Sequence, residues 1–381
     1  MRMLVLGAGL QGSACAYDLL QNPEVKEVRL ADLHTGHLPH FLAPFSGERL
    51  IFTPLDVRDH EATLALMRES DAVMSAIPYY FNYDLAKVAV EAGVHFSDLG
   101  GNTEIVFKQQ TLDAEAKKKN ITIIPDCGLA PGMVNILAEH GIKQLDEVDS
   151  VRIFVGGLPQ HPEPPLNYQI VYSLEGVLDY YTTLSWVLRE GKRTQVKALS
   201  EIEPVYFGGS LGELEGFHTA GGLSTMAFRY EGKIPTMEYK TLRYPGHARI
   251  MEAIRELGLL ELTPVDVKGM KVVPRDLVVS AMGPRLTKPH GHDLVALRVF
   301  AEGKKNGKPK RIGWEMVDYY DEENGISAME RSTGYSLSIT GQMQVRGEIG
   351  KAGVFTPDEA IPADKYIREL AARGVMIHEM R

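Results

Sequence analysis

Cysteine is nearly absent from this chain. Cys15 and Cys127 are the only two in 381 residues. That count excludes a secreted disulfide framework and a four-cysteine zinc site. Long apolar runs are missing too, and none approaches the ~18 residues that a membrane-spanning helix requires. There is no excess of positive charge. Lysine and arginine number 41 against 50 acidic residues, a formal net charge of −9, so the chain lacks the basic face on which general nucleic-acid binding depends. The basic runs "AKKKN" and "GKKNGKPKR" are short and read as a helix end and a hairpin turn. No internal repeat is visible. The N-terminal "MRMLVLGAG" enters a strand at once, without the apolar segment and cleavage site of a signal peptide. The expectation is a cytoplasmic protein without nucleic-acid or membrane partners.

The length suits two domains, at roughly 100–200 residues each. "MLVL" is a continuous apolar run of the kind buried on both faces of a parallel sheet. "GAGLQG" follows it and opens the helix-like "SACAYDLL". Gly7, Gly9 and Gly12 therefore form G-x-G-x-x-G between a strand and a helix, with Leu10 and Gln11 inside the motif. Gly7 allows the tight turn, Gly9 lets a pyrophosphate approach the backbone, and Gly12 lets helix and strand pack closely. The second strand, "EVRLAD", ends at Asp32, 20 residues after Gly12. A carboxylate there accepts from ribose hydroxyls and repels a 2′-phosphate. No arginine follows in "DLHTGH", which favours NAD over NADP.

The alternation continues through "LIFTPLDV", "DHEATLALMRES", "DAVMSAIP", "NYDLAKVAVEAG", "HFSDLG" and "ITIIPDC". Such alternation predicts a Rossmann-type doubly wound parallel sheet over 1–130. Ligands of that fold lie at the carboxyl ends of the strands. The expected rim contains Asp56 and Val57, then Ser75, Ala76, Ile77 and Pro78, then Asp98 to Asn102, then Asp126, Cys127 and Gly128. Asp56 reads equally well as an adenine contact and as a helix cap. From Val148 the pattern changes to many strand-like runs with few helices between them. An inserted α+β substrate and dimerisation domain is expected over 131–326, with C-terminal helices over 327–381 returning to the first domain. "SLEGVLDYYTTLSWVLREG" reads as one helix.

"GAGLQG", "PLDVRD", "SAIP", "DLGGN" and "PDCGLAPG", together with "TAGGLST" and "TLRYPGH", resemble the saccharopine dehydrogenase-like family. "GGLPQHPEPPLNY", "TAGGLST" and "TLRYPGH" bring the chain nearest to its lysine 6-dehydrogenase branch. Ala130 departs from the acid usual in the saccharopine-forming members. The resemblance implies NAD-dependent oxidation of the ε-amino carbon of L-lysine to 2-aminoadipate 6-semialdehyde, which cyclises to piperideine-6-carboxylate. It also implies a homodimer or a dimer of dimers. Two alternatives stand beside it: a saccharopine- or carboxynorspermidine-type reductase joining an amine to a semialdehyde, and a non-catalytic NAD-binding homologue.

Such a reaction needs a base, because an ε-ammonium (reference pKa about 10.4) cannot release hydride while charged. Asp98, at a strand end, and His247, at a helix start, are the candidates. The substrate carboxylate calls for a planar cation, and Arg243 is the preferred one. Tyr168, Tyr172 and Tyr244 are expected to line the aliphatic chain, with Thr219 and Ser224 in a loop closing over it. The histidines of "HTGHLPH" (His34, His37, His40) and of "PHGHD" (His290, His292) lack the acid or cysteine partners of a metal site, so no metal is expected.

Overall fold

The computed structural model describes residues 1–34, 38–209, 211–288 and 291–380. Its first half is built on β1 (Arg2–Leu6), α1 (Leu10–Gln21), β2 (Glu27–Asp32), β3 (Leu50–Pro54), α2 (His60–Arg68), β4 (Ala72–Ser75), α3 (Asn82–Ala92), β5 (His95–Asp98), α4 (Thr103–Gln110), α5 (Asp113–Lys118) and β6 (Thr122–Ile124). These strands are parallel. Alternate residues of β1 enter opposite cores: Met3 and Val5 one, Leu4 and Leu6 the other. Both faces are covered, which is why the strand reads as an unbroken apolar run. Each fully buried leucine or valine contributes about 1.5–3 kcal/mol.

The chain crosses to a second sheet through α6 (Met133–Gln144) and β7 (Glu147–Pro159), then α7 (Leu174–Thr182) and the hairpin β8 (Ser185–Arg189) and β9 (Lys192–Val196). The expected single helix over "SLEGVLDYYTTLSWVLREG" is thus a helix followed by a strand. Glu190 and Gly191 both adopt positive φ (50° and 76°), the signature of a tight hairpin turn, and "SWVLR" pairs with "KRTQV" across it. Next come β10 (Glu203–Tyr206), β11 (Glu213–His218), α8 (Met226–Arg229), β12 (Thr236–Arg243), α9 (His247–Glu256), β13 (Val265–Val267), β14 (Met270–Val272), α10 (Pro274–Leu286), β15 (Asp293–Lys305) and β16 (Lys308–Tyr319). β12 runs parallel to β7, and the other pairings in this sheet are antiparallel.

The return is α11 (Ala328–Val345), which packs on α1, β4 and β5. Ser327 Oγ accepts from Glu330 N at 3.1 Å while Glu330 Oε2 accepts from Ser327 N at 2.8 Å, a reciprocal cap. A Cβ at Gly334 would stand 2.7 Å from Gln11 O, so α1 and α11 meet backbone to backbone. A short strand, β17 (Gly353–Val354), then adds to β6, followed by α12 (Pro357–Ala360), α13 (Ala363–Ala372) and β18 (His378–Glu379), which joins β16. Among the described residues the first sheet accordingly has seven strands, all parallel, in the order β17-β6-β5-β4-β1-β2-β3, and the order of connection switches sides between β1 and β4. The fold is a doubly wound parallel sheet joined to a mixed-sheet domain.

Candidate active site

The strand–turn–helix at the N-terminus has the geometry of a dinucleotide cradle. Gly7 has φ +96°, and a Cβ on it would stand 2.7 Å from Ile77 Cγ2. A Cβ on Gly12 would stand 1.8 Å from Gly7 O, so α1 rests directly on the turn. Gly9 has no atom within 4 Å of its Cβ position; the space beside it is open. Asp32 Oδ2 accepts from Ala8 N at 2.7 Å and Oδ1 from His34 N at 2.9 Å, which ties the turn to the end of β2. Gln11 is half-buried at the cleft, and both its amide atoms are buried and unpartnered. A buried primary amide without partners is costly unless a ligand satisfies it. The open Gly9, the orphan Gln11 amide and the helix N-terminus fit the pyrophosphate and nicotinamide half of a dinucleotide.

A cavity of about 500 Å³ lies between the two sheets at the topological switch point. One wall is the rim of the parallel sheet: Gln11, Ala76–Tyr80 after β4, Leu99–Gly100 after β5, and Gly128–Pro131 after β6. The other wall is the mixed sheet, with Val155–Gly157 of β7 and Tyr239, Thr241 and Arg243 of β12. The last three alternate along one strand, so they share a face. Thr219 and Ala220 close one side, with Thr219 Oγ1 and Thr241 Oγ1 at 2.7 Å. Gly222 lies flat on Tyr239, where any Cβ would stand 2.3 Å from the ring. Tyr172 and α7 close the other side, and α7 presents Glu175, Asp179 and Tyr180.

Arg243 is the single cation among the described residues of the cavity wall. It is 2 % exposed. Its Nη1 donates to Leu242 O at 2.8 Å and Gly157 O at 3.4 Å, while Nε donates to nothing. The guanidinium carbon lies 4.8 Å from the centre of the Tyr168 ring. Glu215 is its cross-strand neighbour, yet that carboxylate is taken by the start of α9, accepting from Gly246 N at 2.9 Å and Ala248 N at 2.6 Å. No ion pair to Arg243 exists among the described residues, and a buried unpaired guanidinium is the natural seat for a carboxylate. Glu175 and Asp179 sit one turn apart on α7. Asp179 is held by Arg275, and Glu175 has no ion-pair partner among the described residues.

Of the sequence candidates, Gln11, Ala76, Ile77, Pro78, Gly128, Tyr172, Thr219 and Arg243 meet at this cavity. Others do not. Asp98 is wholly buried beneath the rim, accepting from Gln109 Nε2 at 2.7 Å, Gly100 N at 2.8 Å and Asp126 N at 3.3 Å; its oxygens are spent on loop geometry and do not line the cavity. His247 is also outside the cavity wall. Its Nε2 lies 2.9 Å from Tyr181 Oη and its Nδ1 lies 3.1 Å from Leu166 O. Burial, then the nearby Arg243, push its pKa down to about 3. Tyr244 follows Arg243 and so turns to the opposite face, donating to Pro159 O at 2.9 Å. Tyr168 backs Arg243 from behind, and Ser224 donates to Asp126 behind the wall. Cys127 is a buried thiol directed at Ile124 O, and Ser75 donates to Asn82 Oδ1 at 2.8 Å.

Asp56 caps no helix. Asp59 does that, and Asp56 instead pairs with Arg58 at 2.6 Å. Val57 packs on the first domain's core, and Leu10 is 54 % exposed at the start of α1. His37 and His290 lie outside the described residues. His292 stacks on Tyr320 with ring centres 4.2 Å apart. The described residues do hold one histidine–carboxylate group, Glu201, His218 and Glu238, behind the mixed sheet. Arg189 Nη2 already stands 2.8 Å from both carboxylates, where a metal would have to sit.

The floor below Gly100 and Gly128 contains two buried acids. Burial pushes Asp98 up to about 6. Burial, with Asp98 beside it, pushes Asp126 up to about 7 against the hydrogen bond from Ser224. A carboxyl raised in the folded state stabilises fully below its unfolded pKa of about 3.9, and that stability is lost as pH rises through the folded value. Asp126 has φ +63°, a conformation asparagine tolerates. Asp126→Asn is therefore expected to match wild type in thermal melting near pH 4 and to melt a few degrees higher near pH 8. Equal melting curves at both pH values would contradict this account of the floor.

A doubly wound sheet with this turn, facing a cleft at its switch point, is the architecture of the dinucleotide-binding proteins. The Saccharopine dehydrogenase NADP binding domain matches residues 3–124, and the Saccharopine dehydrogenase C-terminal domain matches residues 128–375. The chain belongs to the saccharopine dehydrogenase family. It is 23 % identical to mouse mitochondrial alpha-aminoadipic semialdehyde synthase over 99 % of this chain and 47 % of that protein. Against Vibrio cholerae carboxynorspermidine synthase it is 22 % identical, covering 98 % of this chain and 96 % of that one. The chain thus spans about half the length of the animal relatives. The solved apo saccharopine dehydrogenase (L-Glu forming) of Saccharomyces cerevisiae superposes with a TM-score of 0.81 at 21 % identity, covering 100 % of this chain and 99 % of that one. Among the described residues no helix is long and apolar enough to cross a membrane.

Proposed function

We propose that this oxidoreductase oxidises the ε-amino carbon of L-lysine with NAD. The observation that carries the reading is the charge content of the cavity: one unpaired cation, Arg243, and one unpaired carboxylate, Glu175, beside an Asp179 already paired with Arg275. That set suits a substrate with a single carboxylate and an ammonium group. A substrate with several carboxylates would need more cations than the cavity wall provides. Ala130, in the wall beside Pro131, adds no charge. Asp32 at the end of β2, with no arginine in the two residues that follow it, supports NAD as the cofactor.

When bound, NAD supplies the acceptor for the hydride that leaves C6. Arg243 anchors the α-carboxylate at the far wall, and Glu175, without an ion-pair partner among the described residues, holds an ammonium group in the cleft. Orientation of this kind lowers a barrier by several kcal/mol. The resulting imine takes up water and releases ammonia, and the semialdehyde cyclises with its own α-amine as water leaves. The described cavity wall has no imidazole or lysine, so the ε-ammonium loses its proton to solvent in the alkaline range. The rate at subsaturating lysine is accordingly expected to rise about tenfold per pH unit from 7 to 9, toward the ammonium pKa of about 10.4. Purified protein given NAD and L-lysine should form NADH with that profile. NADH formed only from saccharopine, or a profile already flat at pH 7, would sink the reading. A cytoplasmic location and a homodimer or dimer of dimers belong to the same proposal, and light scattering reads the assembly.

A further inference from the structure

The wall that carries Thr219 and Ala220 is fastened to the parallel sheet through one buried carboxyl. Asp126 lies just past β6 and is buried. Its Oδ2 accepts from the hydroxyl of Ser224, 98 residues further along, in the loop between β11 and α8. Its Oδ1 accepts from Gly101 N at 3.4 Å, in the turn between β5 and α4. A Cβ on Gly100 would stand 1.6 Å from that oxygen, so the turn lies directly against the carboxyl. One side chain therefore joins the ends of β5 and β6 to the second domain. A second strap runs beside it: Asn135 of α6 accepts from Gly132 N at 2.7 Å and donates to Gly222 O at 3.1 Å. Asp126 and Ser224 both have positive φ (63° and 51°), a conformation that residues with side chains keep only where the surrounding bonds over-determine it.

We propose that Asp126 and Ser224 are positioning residues for hydride transfer: their contact sets the separation between the cofactor wall and the substrate wall of the cleft. Gly100 belongs to the rim, Thr219 and Ala220 belong to the facing wall, and neither Asp126 nor Ser224 lines the cavity itself. Thr219 is bonded in turn to Thr241, which shares a face of β12 with Arg243. The contacts thus run from the rim, through Asp126 and Ser224, to the strand that bears the carboxylate anchor. NAD binds one wall and the carboxylate the other. Loosening the contact leaves each half-site whole and spoils the alignment between them. Alignment governs the chemical step, where a misplacement of about 1 Å can cost ~100-fold. The inference rests on the reading of this cleft as the site of lysine oxidation.

The test joins lysine turnover to amide hydrogen exchange of the full-length protein saturated with NADH. Ser224→Ala and Ser224→Gly are each expected to lower kcat at least about tenfold, with the KM for lysine and the affinity for NADH within about threefold of wild type. Glycine suits the positive φ and so separates loss of the hydroxyl from backbone strain or misfolding. Asp126→Asn keeps an acceptor for Gly101 N and a partner for Ser224, and it should retain kcat within about threefold. In the exchange measurement the Ser224 variants should speed the amides of 99–102 as well as those of 219–225, by at least about fivefold, and Asp126→Asn should speed neither. A kcat within twofold of wild type in both Ser224 variants, a raised KM at unchanged kcat, an equal collapse of kcat in Asp126→Asn, or faster exchange confined to 219–225 each overturn the inference. Absence of lysine turnover in the wild type counts against the lysine reading, and the exchange rates still decide whether this contact couples the two walls.

Discussion

Arg243→Met is expected to raise the KM for L-lysine by at least about 100-fold, the loss of a charge-assisted bidentate pair, while NAD affinity stays at the wild-type value. Arg243 is 2 % exposed with an unpartnered Nε. Two carbonyls and the Tyr168 ring offset part of the cost of burying its charge in the free protein, and a bound carboxylate would offset more. Methionine fills much of the same space without that cost. The variant should melt at or above the wild-type temperature in the absence of substrate, the usual conflict between stability and function at a ligand site. Arg243→Lys keeps the charge without the fork and should fall between the two. Titration calorimetry with NAD, steady-state kinetics and a thermal melt read all three. A large loss of NAD affinity, with the KM for lysine unchanged, would place Arg243 on the cofactor and not the substrate.

The second large effect separates two glycines three residues apart. Gly9→Ala adds a methyl group where no protein atom lies within 4 Å, at a backbone φ of −70° that alanine adopts freely. The protein should fold and melt as wild type, yet bind NAD at least about 100-fold more weakly, because the methyl occupies the phosphate's place. Gly12→Ala adds its methyl 1.8 Å from Gly7 O. It should lower the melting temperature as well as NAD affinity, since α1 must move off the turn and α11 packs against α1. Wild-type NAD affinity in Gly9→Ala would mean that the dinucleotide does not cross this turn.

How far the site was readable follows from the range of the interactions involved. The turn Gly7–Gly12 and Asp32 are local features of one βα unit, and their spacing carries their geometry. Arg243 was readable as a residue type beside a Pro-Gly turn. Tyr244 stands on the opposite face by a local rule: adjacent residues of a strand cannot face one cavity, and Tyr239, Thr241 and Arg243 alternate toward this one. Asp98 and His247 stand off the cavity wall for another reason. A strand end or a helix start places a Cα, but the direction of the side chain depends on partners distant in sequence, Gln109 and Asp126 for one, Tyr181 and Leu166 for the other.

Glu175, Asp179 and Tyr180 are hard to place from sequence because the apolar pattern of "SLEGVLDYYTTLSWVLREG" shows no helix end. The Glu190–Gly191 turn marks a hairpin, which leaves α7 as a nine-residue helix with its acids one turn apart. The edge strand β17 has two residues, too few to carry a period. It forms because Gly353 N donates to Ile121 O and Phe355 N to Ile123 O, bonds that only the folded sheet offers.

The central claim is that hydride leaves C6 of lysine. It is tested most directly with lysine deuterated at C6 and, separately, at the α-carbon, each incubated with NAD and the purified protein. The account predicts deuterium in the NADH formed from the C6-labelled substrate, with a slowed rate, and none from the α-labelled one. Deuterium arriving from the α-carbon, or from neither, would contradict it.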